Sequence, residues 1–591
     1  MKAIGSIVAA CLLLSLGGEA RAVTAWPGGP ALLGSTAESY FEVRPAILDV
    51  PESPARTPSI GAVKALVVLI DFTDKPADHA AHGPDYFLTK MFGTQKTSLR
   101  SYFDEVSYRK FSLQGDVTGW FRSECRHNLF VNRDGMRGTA DDYGLDISPS
   151  AVDTMLCHYP LNIWGLVKEA IELASGAVDL RQYDNDGPDG VPHSGDDDGF
   201  IDALFVIHSG VGAEIFGRSP GAENFIWSLE SSLDYYAPTR NTSIDGVRIG
   251  PFVVVPELSE IGVYAHEFCH LLGLPDLYDS VTGESVVGPF CLMDSGTWGG
   301  PQQNGSVPSH LCSPMKYFLG WIDPTMICLG CATGEPEKEG ARVVPVGRAD
   351  SAFVVLDNPN GMDWTADGTG KGEYFMLEDR QPRYGYYESY LPGSGMLIWK
   401  VDESRRDNNN PVTRLAEVIQ ADGETVDPVS GANVPGEPSD FWPGSLDRTA
   451  FTPYSIPASN LSLGRFSGVA VDSIEERLSG VVRANIRIGL PHRGEAYAYP
   501  NPSNLEGLRA GVSLRIVFVP DTGPTQPRGF EATVFDLEGR PVRRLSELPD
   551  VPGEAEWDGR DEEGRLVKPG LYLFHVKASG EEGSGVVAIT D

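Results

Sequence analysis

The segment Tyr264-Ala265-His266-Glu267-Phe268-Cys269-His270-Leu271-Leu272-Gly273-Leu274-Pro275-Asp276 holds two imidazoles and two carboxylates at spacings that suit a divalent metal. On a helix, residues four apart project from one side, so His266 and His270 can aim at one ion. Glu267 sits beside the first histidine, where its carboxylate can take a proton from a water on the metal. Gly273 can adopt the left-handed backbone that ends a helix. The chain then turns and Asp276 can return as a third, oxygen ligand; Asp279 and Glu284 are other carboxylates within reach. Hydrolytic zinc sites use three protein ligands and a water whose pKa falls to about 7. The residues thus predict a zinc centre with His266, His270 and Asp276 as ligands and Glu267 as general base. Tyr278 and His310 are candidates for steadying the oxyanion, and Cys269 reads as a small core residue. Met293, in the Gly-containing turn Cys291-Leu292-Met293-Asp294-Ser295-Gly296, is a candidate hydrophobic floor beneath the metal.

Such a helix needs a scaffold, and the flanking sequence offers one. The apolar run over 65–72 has the length and texture of a buried strand. Leu99, Tyr102, Phe103 and Val106 recur on one helical face, as do Ile163, Leu166, Val167, Ala170, Ile171 and Ala174. A second buried strand is expected over 201–208. These elements predict an α/β (α+β) catalytic core.

Beyond about residue 340 the texture becomes β-rich, with strands expected over 343–346, 353–356, 374–377, 396–401 and 469–471 and no convincing helix. Pro491 and Tyr499-Pro500-Asn501-Pro502 read as a linker. After it, strands such as 533–537 and 571–576 fit a β-sandwich of Ig-like length. The fold class is therefore multidomain. Its expected divisions are 1–22 signal peptide, 23–60 pro-segment or linker, 61–335 catalytic domain, 336–490 β-rich accessory domain and 491–591 C-terminal Ig-like sandwich.

Composition narrows the function. The 591 residues carry 47 Lys and Arg against 82 Asp and Glu, a net charge of −35. Duplex binding needs basic patches, so no nucleic-acid partner is expected. Lys2, the apolar stretch 4–16 and Ala20-Arg21-Ala22 read as a secretory signal peptide, with acylation at Cys11 as the alternative. No later stretch approaches a membrane span. The chain is expected outside the cell, free or surface-attached, and as a monomer. Cys125–Cys157 is a plausible bridge, and two of Cys291, Cys312, Cys328 and Cys331 can form another. The lone pair Cys328-Leu329-Gly330-Cys331 reads as structural.

An acidic tract runs from Tyr183-Asp184-Asn185-Asp186-Gly187-Pro188-Asp189-Gly190 to Asp196-Asp197-Asp198-Gly199-Phe200-Ile201-Asp202. Hard oxygens and sharp turns at this density predict calcium, held by Asp184, Asp186, Asp189, Asp196, Asp198 and Asp202. The spacing is not that of an EF-hand. A weaker second candidate spans 134–142.

With these motifs in view, the sequence resembles the immune inhibitor A-like (M6) secreted metallopeptidases. The resemblance rests on His266-Glu267-Phe268-Cys269-His270 with Gly273 and Asp276, and on Leu292-Met293-Asp294-Ser295-Gly296-Thr297-Trp298. It extends to 66–72, 202–208, Leu319-Gly320-Trp321, Glu373-Tyr374-Phe375-Met376-Leu377-Glu378-Asp379-Arg380-Gln381 and 391–399, covering about 60–480. It implies a zincin/metzincin-like endopeptidase acting on protein or peptide substrates, with the ligands and base named above. The acidic insertion before Asp202 and the short pro-segment depart from the family pattern. The last domain, with Trp557-Asp558-Gly559-Arg560-Asp561 and Lys568-Pro569-Gly570-Leu571-Tyr572, resembles the FlgD-type Ig-like or type IX sorting-type module, which implies an accessory role. The rival reading from another class is a catalytically inactive, calcium-stabilised surface adhesion or binding protein.

Overall fold

The computed structural model describes residues 21–22, 57–148, 157–217, 219–328, 334–356, 372–426, 434–453, 455–462, 467–477, 479–488, 496–499, 503–509, 513–518, 529–548 and 551–590. The expected signal peptide (apart from Arg21 and Ala22), most of the pro-segment, Cys331, Pro491 and Pro500-Asn501-Pro502 lie outside the described residues. No helix among the described residues is long and apolar enough to cross a membrane.

The first sheet contains β1 (Gly61–Asp71), β2 (Phe111–Arg122), β3 (Leu204–His208), β4 (Leu229–Ser232) and β5 (Pro251–Pro256). Its order is β4-β5-β3-β1-β2, with Arg21–Ala22 paired to the outer edge of β4. The β2, β1, β3 and β5 strands are parallel, and β4 runs antiparallel at the edge.

β1 is apolar on both faces because both are covered. Val63, Ala65, Val67 and Leu69 join one core and Leu66, Val68 and Ile70 the other. A strand with two buried faces must read as a run rather than an alternation. One face carries α1 (Pro84–Phe92), α2 (Leu99–Val106) and α4 (Ile261–Leu271); the other carries α3 (Ile163–Ser175). Polar caps start two of these helices, as their sequences invite. The Ser98 side chain accepts from the Ser101 amide, and Asn162 Oδ1 accepts from the Gly165 amide.

A second, five-stranded sheet follows: β6 (Thr325–Ile327), β7 (Phe353–Val355), β8 (Glu373–Arg380), β9 (Gly395–Asp402) and β10 (Ala416–Val418). Its order is β10-β9-β8-β7-β6. One face, with Val354, Tyr374, Met376, Leu397, Trp399 and Val401, merges into the same core as α4 and the upper face of β1. The other packs on a three-stranded sheet of Glu337–Val343, Val482–Ile488 and Val469–Glu476. The edge strand β6 therefore starts this sheet on the N-terminal side of residue 335. The strand expected over 343–346 lies earlier, at Glu337–Val343, where exposed charges mask it.

The C-terminal region keeps a core of its own, including Leu514, Ile516, Phe518, Val534, Trp557, Phe574, Val576 and Ile589. Tyr499, read as the start of a linker, instead ends the strand Ala496–Tyr499, which pairs with Leu514–Phe518. The prolines that follow it had hidden the strand in the sequence.

Candidate metal centre

All eleven residues of α4 are buried, so the helix is held from every side. Gly262 permits this: a Cβ there would lie 2.0 Å from the Thr297 carbonyl oxygen. Its amide donates to the Gly305 carbonyl at 2.9 Å. At the other end, Gly273 takes φ +94°, and the Leu274 amide returns to the Cys269 carbonyl at 3.0 Å. The left-handed turn carries the chain back along the helix, and the carboxylate of Asp276 arrives between the two imidazoles.

Asp276 Oδ1 lies 3.1 Å from His266 Nε2 and 3.2 Å from His270 Nε2. The three donor atoms fall within 4.8 Å of one another, close enough to share one ion. Each imidazole is oriented through its other nitrogen. His266 Nδ1 lies 3.0 Å from both the Leu292 carbonyl and Thr297 Oγ1, and His270 Nδ1 lies 2.8 Å from the Leu274 carbonyl. A proton on each Nδ1 leaves the Nε2 lone pair for a metal, the arrangement that metal-ligating histidines use. Thr297 Oγ1 also donates to the Leu292 carbonyl at 2.6 Å, fixing the acceptor. Burial works to raise the Asp276 carboxyl, but His270 and His266 outweigh it and hold the group well below the usual carboxylate range. The donor set of two neutral imidazoles and one carboxylate fits zinc.

Glu267 is fully buried on the same helix, next to the first ligand. Tyr278 stands at the site: its ring stacks at 6.4 Å from His266, and burial, then Asp276 and Glu267, push its phenol well above the ordinary value. It is therefore a protonated donor at neutral pH. His310 is directed elsewhere, with Nε2 3.3 Å from Glu105 Oε1 and Nδ1 3.0 Å from Lys316 Nζ. It is thus removed from the two oxyanion candidates. Asp279 Oδ1 accepts from the Val281 and Thr282 amides, a turn role, and neither it nor Glu284 joins the cluster.

Met293 is buried, and its carbonyl accepts from the Leu277 amide at 2.8 Å, tying the turn to the chain beside Asp276. Asp294 closes the turn by accepting from the Val286, Val287 and Ser295 amides at 2.6–2.8 Å; burial pushes its carboxyl up to about 6. Sequence reading missed the Leu292 carbonyl, Thr297 and Asp294. Only their position in the turn after the histidine motif hinted at them.

The acidic tract is organised differently. Asp184, Asp186 and Asp202 bring ligand atoms within 4.8 Å of one another. Burial, then Asp186, Asp184 and Asp198, push Asp202 up to about 8. Asp189, Asp196 and Asp198 do not join that cluster. Their oxygens accept from Val191, Asp189 and Phe200 amides within the loop, and Ser194 Oγ donates to Asp196. Asp184 Oδ2 also meets His193 Nδ1 at 2.5 Å. Among the cysteines, Cys125–Cys157 is bridged and Cys328 is disulfide-bonded. Cys269, Cys291 and Cys312 are free and buried. The Cys312 amide donates to Cys291 Sγ at 3.3 Å, so these two neighbours do not supply the second bridge.

A mixed α/β unit thus presents this donor set from a buried helix and the turn that follows it. Residues 81–321 match the family described as "Immune inhibitor A peptidase M6, catalytic domain", a metallopeptidase family that implies zinc. Among curated proteins, the chain is 29% identical over 292 residues to the pre-pro-metalloprotease PrtV of Vibrio cholerae, covering 43% of this chain and 29% of that protein. It is 27% identical over 310 residues to immune inhibitor A of Bacillus thuringiensis subsp. alesti, covering 46% of this chain and 42% of that protein. The chain thus spans less than half the length of these relatives. A solved chain of PorZ from Porphyromonas gingivalis is 20% identical over 21% of this chain and 15% of its own length, at TM-score 0.14, which carries no argument.

Proposed function

We propose that the protein is a secreted zinc endopeptidase in which His266, His270 and Asp276 hold the metal and Glu267 is the general base. The observation that carries this reading is the convergence of both Nε2 atoms on Asp276 Oδ1, with each Nδ1 facing a fixed oxygen. When bound, zinc supplies Lewis acidity toward the scissile carbonyl and the attacking water. Glu267 accepts the proton of that water and returns it to the leaving amine. Met293 and its turn form the floor of the site, which supports a metzincin-like assignment. The outer edge of β4 suits an extended peptide, since Arg21–Ala22 pairs antiparallel with Glu230 and Leu229. Protein substrates would add there as a further strand.

Two accessory roles complete the proposal. Asp184, Asp186 and Asp202 are a calcium site that relieves the repulsion built into the loop. The C-terminal strands form an Ig-like, sorting-type module with an accessory role, and the expected signal peptide directs export.

The test is Glu267→Gln. The variant should keep zinc, measured by metal analysis, and lose about 100- to 10,000-fold in cleavage of casein. Cleavage near the wild-type rate would overturn the assignment.

A further inference from the structure

Three charged residues from the second sheet are fully buried against the turn behind the metal centre: Glu378 and Arg380 on β8, and Glu388 just after it. Arg380 donates from Nε and Nη2 to Glu388 at 2.6 Å each, and from Nη1 to Glu378 Oε1 at 3.1 Å. The same Nη1 donates to the Phe290 carbonyl at 2.6 Å. Glu378 accepts from the Ser313 amide and hydroxyl and from Trp399 Nε1. Glu388 Oε1 accepts from the His310 amide at 3.4 Å.

Stability alone is a weak reason for such a triad. Apolar residues of similar volume often do as well, because desolvating three charges offsets their attraction. Besides the bonds from Ser313 and Trp399, two of its outward hydrogen bonds flank one carbonyl. Phe290, held by Arg380, is two residues from Leu292. The Leu292 amide donates to the His310 carbonyl at 3.2 Å, and the His310 amide is held by Glu388. Leu292 is thus fixed on both flanks, and its carbonyl is the one that orients His266.

We propose that Arg380, seated between Glu378 and Glu388, is a positioning residue for the metal centre, so that the centre is incomplete without the second sheet. That sheet begins at Thr325, beyond residue 321 where the family match ends. The proposal rests on the zinc peptidase reading. Arg380 touches neither metal nor substrate; it fixes the 290–292 backbone, which fixes the imidazole of His266. The shared core that joins α4 to β8 and β9 gives this connection a rigid bed.

The test is made on the full chain with Arg380→Lys, which keeps the charge but not the planar fork. Chelator competition should show zinc held about 10- to 100-fold more weakly. On casein, kcat should fall while KM stays within about twofold, as expected when a positioning contact to the reacting centre is lost. In the metal-free chain, amides of 290–298 should exchange faster. Thr297→Val, which removes the hydroxyl that touches both the Leu292 carbonyl and His266 Nδ1, should have a similar effect. The double variant should lose less than the product of the two, because both act on one carbonyl. Glu388→Gln, which keeps shape and one acceptor, gives the same readings should Arg380→Lys not fold.

Folded Arg380→Lys and Glu388→Gln chains with the wild-type zinc constant would overturn the proposal, as would fully multiplicative effects with Thr297→Val. A wild-type chain that takes up no zinc would instead overturn the peptidase reading, and the positioning role with it.

Discussion

The two acidic-ligand clusters were equally visible as sequence motifs, yet they are built on opposite plans. His266, His270 and Asp276 come from eleven consecutive positions, but the oxygen that orients His266 lies 26 residues away, in a separate turn. Asp184, Asp186 and Asp202 lie on one acidic tract whose other carboxylates are occupied by the tract's own amides. The first cluster is held by the core, while the second is held largely by itself. A site that must present one open position to a substrate gains from outside bracing. A site that only has to neutralise its own charge does not need it.

The largest expected effect breaks the first cluster outright. His266→Ala should abolish both zinc retention and casein cleavage while leaving the thermal midpoint within a few degrees, because α4 stays packed on all sides. Selective metal removal should separate the clusters next. A zinc-preferring chelator such as 1,10-phenanthroline should stop cleavage at once, at temperatures where the chain stays folded. A calcium-preferring chelator should lower the melting midpoint first, and activity only as the chain unfolds. Calcium at a hundred times its dissociation constant would contribute about 2.7 kcal/mol. If the calcium chelator left melting untouched, the second cluster would be a solvated acidic loop.

Asp202→Asn sharpens the contrast through its sign. Without calcium it should stabilise by on the order of 1 kcal/mol, since it removes a carboxyl that burial, and then the neighbouring Asp residues, push up to about 8. With calcium it should destabilise, and differential scanning in both conditions reads the crossover. A pH-dependent background remains that neither cluster sets. Burial, then Lys75, lowers His127 and His208 to about 3, below the 6.5 of an unfolded histidine. The unfolded chain therefore takes up these protons first. Their contribution is fully present above pH 6.5 and is lost progressively as pH falls toward 3. Urea midpoints between pH 7 and 4.5 should decline accordingly, and less steeply in His208→Asn.

Much of the catalytic segment was legible because its signals are local. The run at β1, the faces of α2 and α3, and the histidine spacing with Gly273 each depend on residues within one element. The expected linker at Tyr499 and the strand over 343–346 were misplaced because strand pairing is decided by distant partners. His310 looked available for the oxyanion only because Glu105, some 205 residues earlier, could not be seen beside it.

The order of residues alone thus established the helix, the imidazole pair, the returning carboxylate and the acidic tract, since each is a matter of spacing along a few turns of chain. Only the tertiary structure decided which Asp residues of the tract converge, which oxygen faces His266, and that Arg380 of a second sheet holds the Phe290 carbonyl two residues before it. Those outcomes depend on which groups meet across a shared core, and burial makes the meeting matter: a charge or carbonyl removed from water must find its partner there.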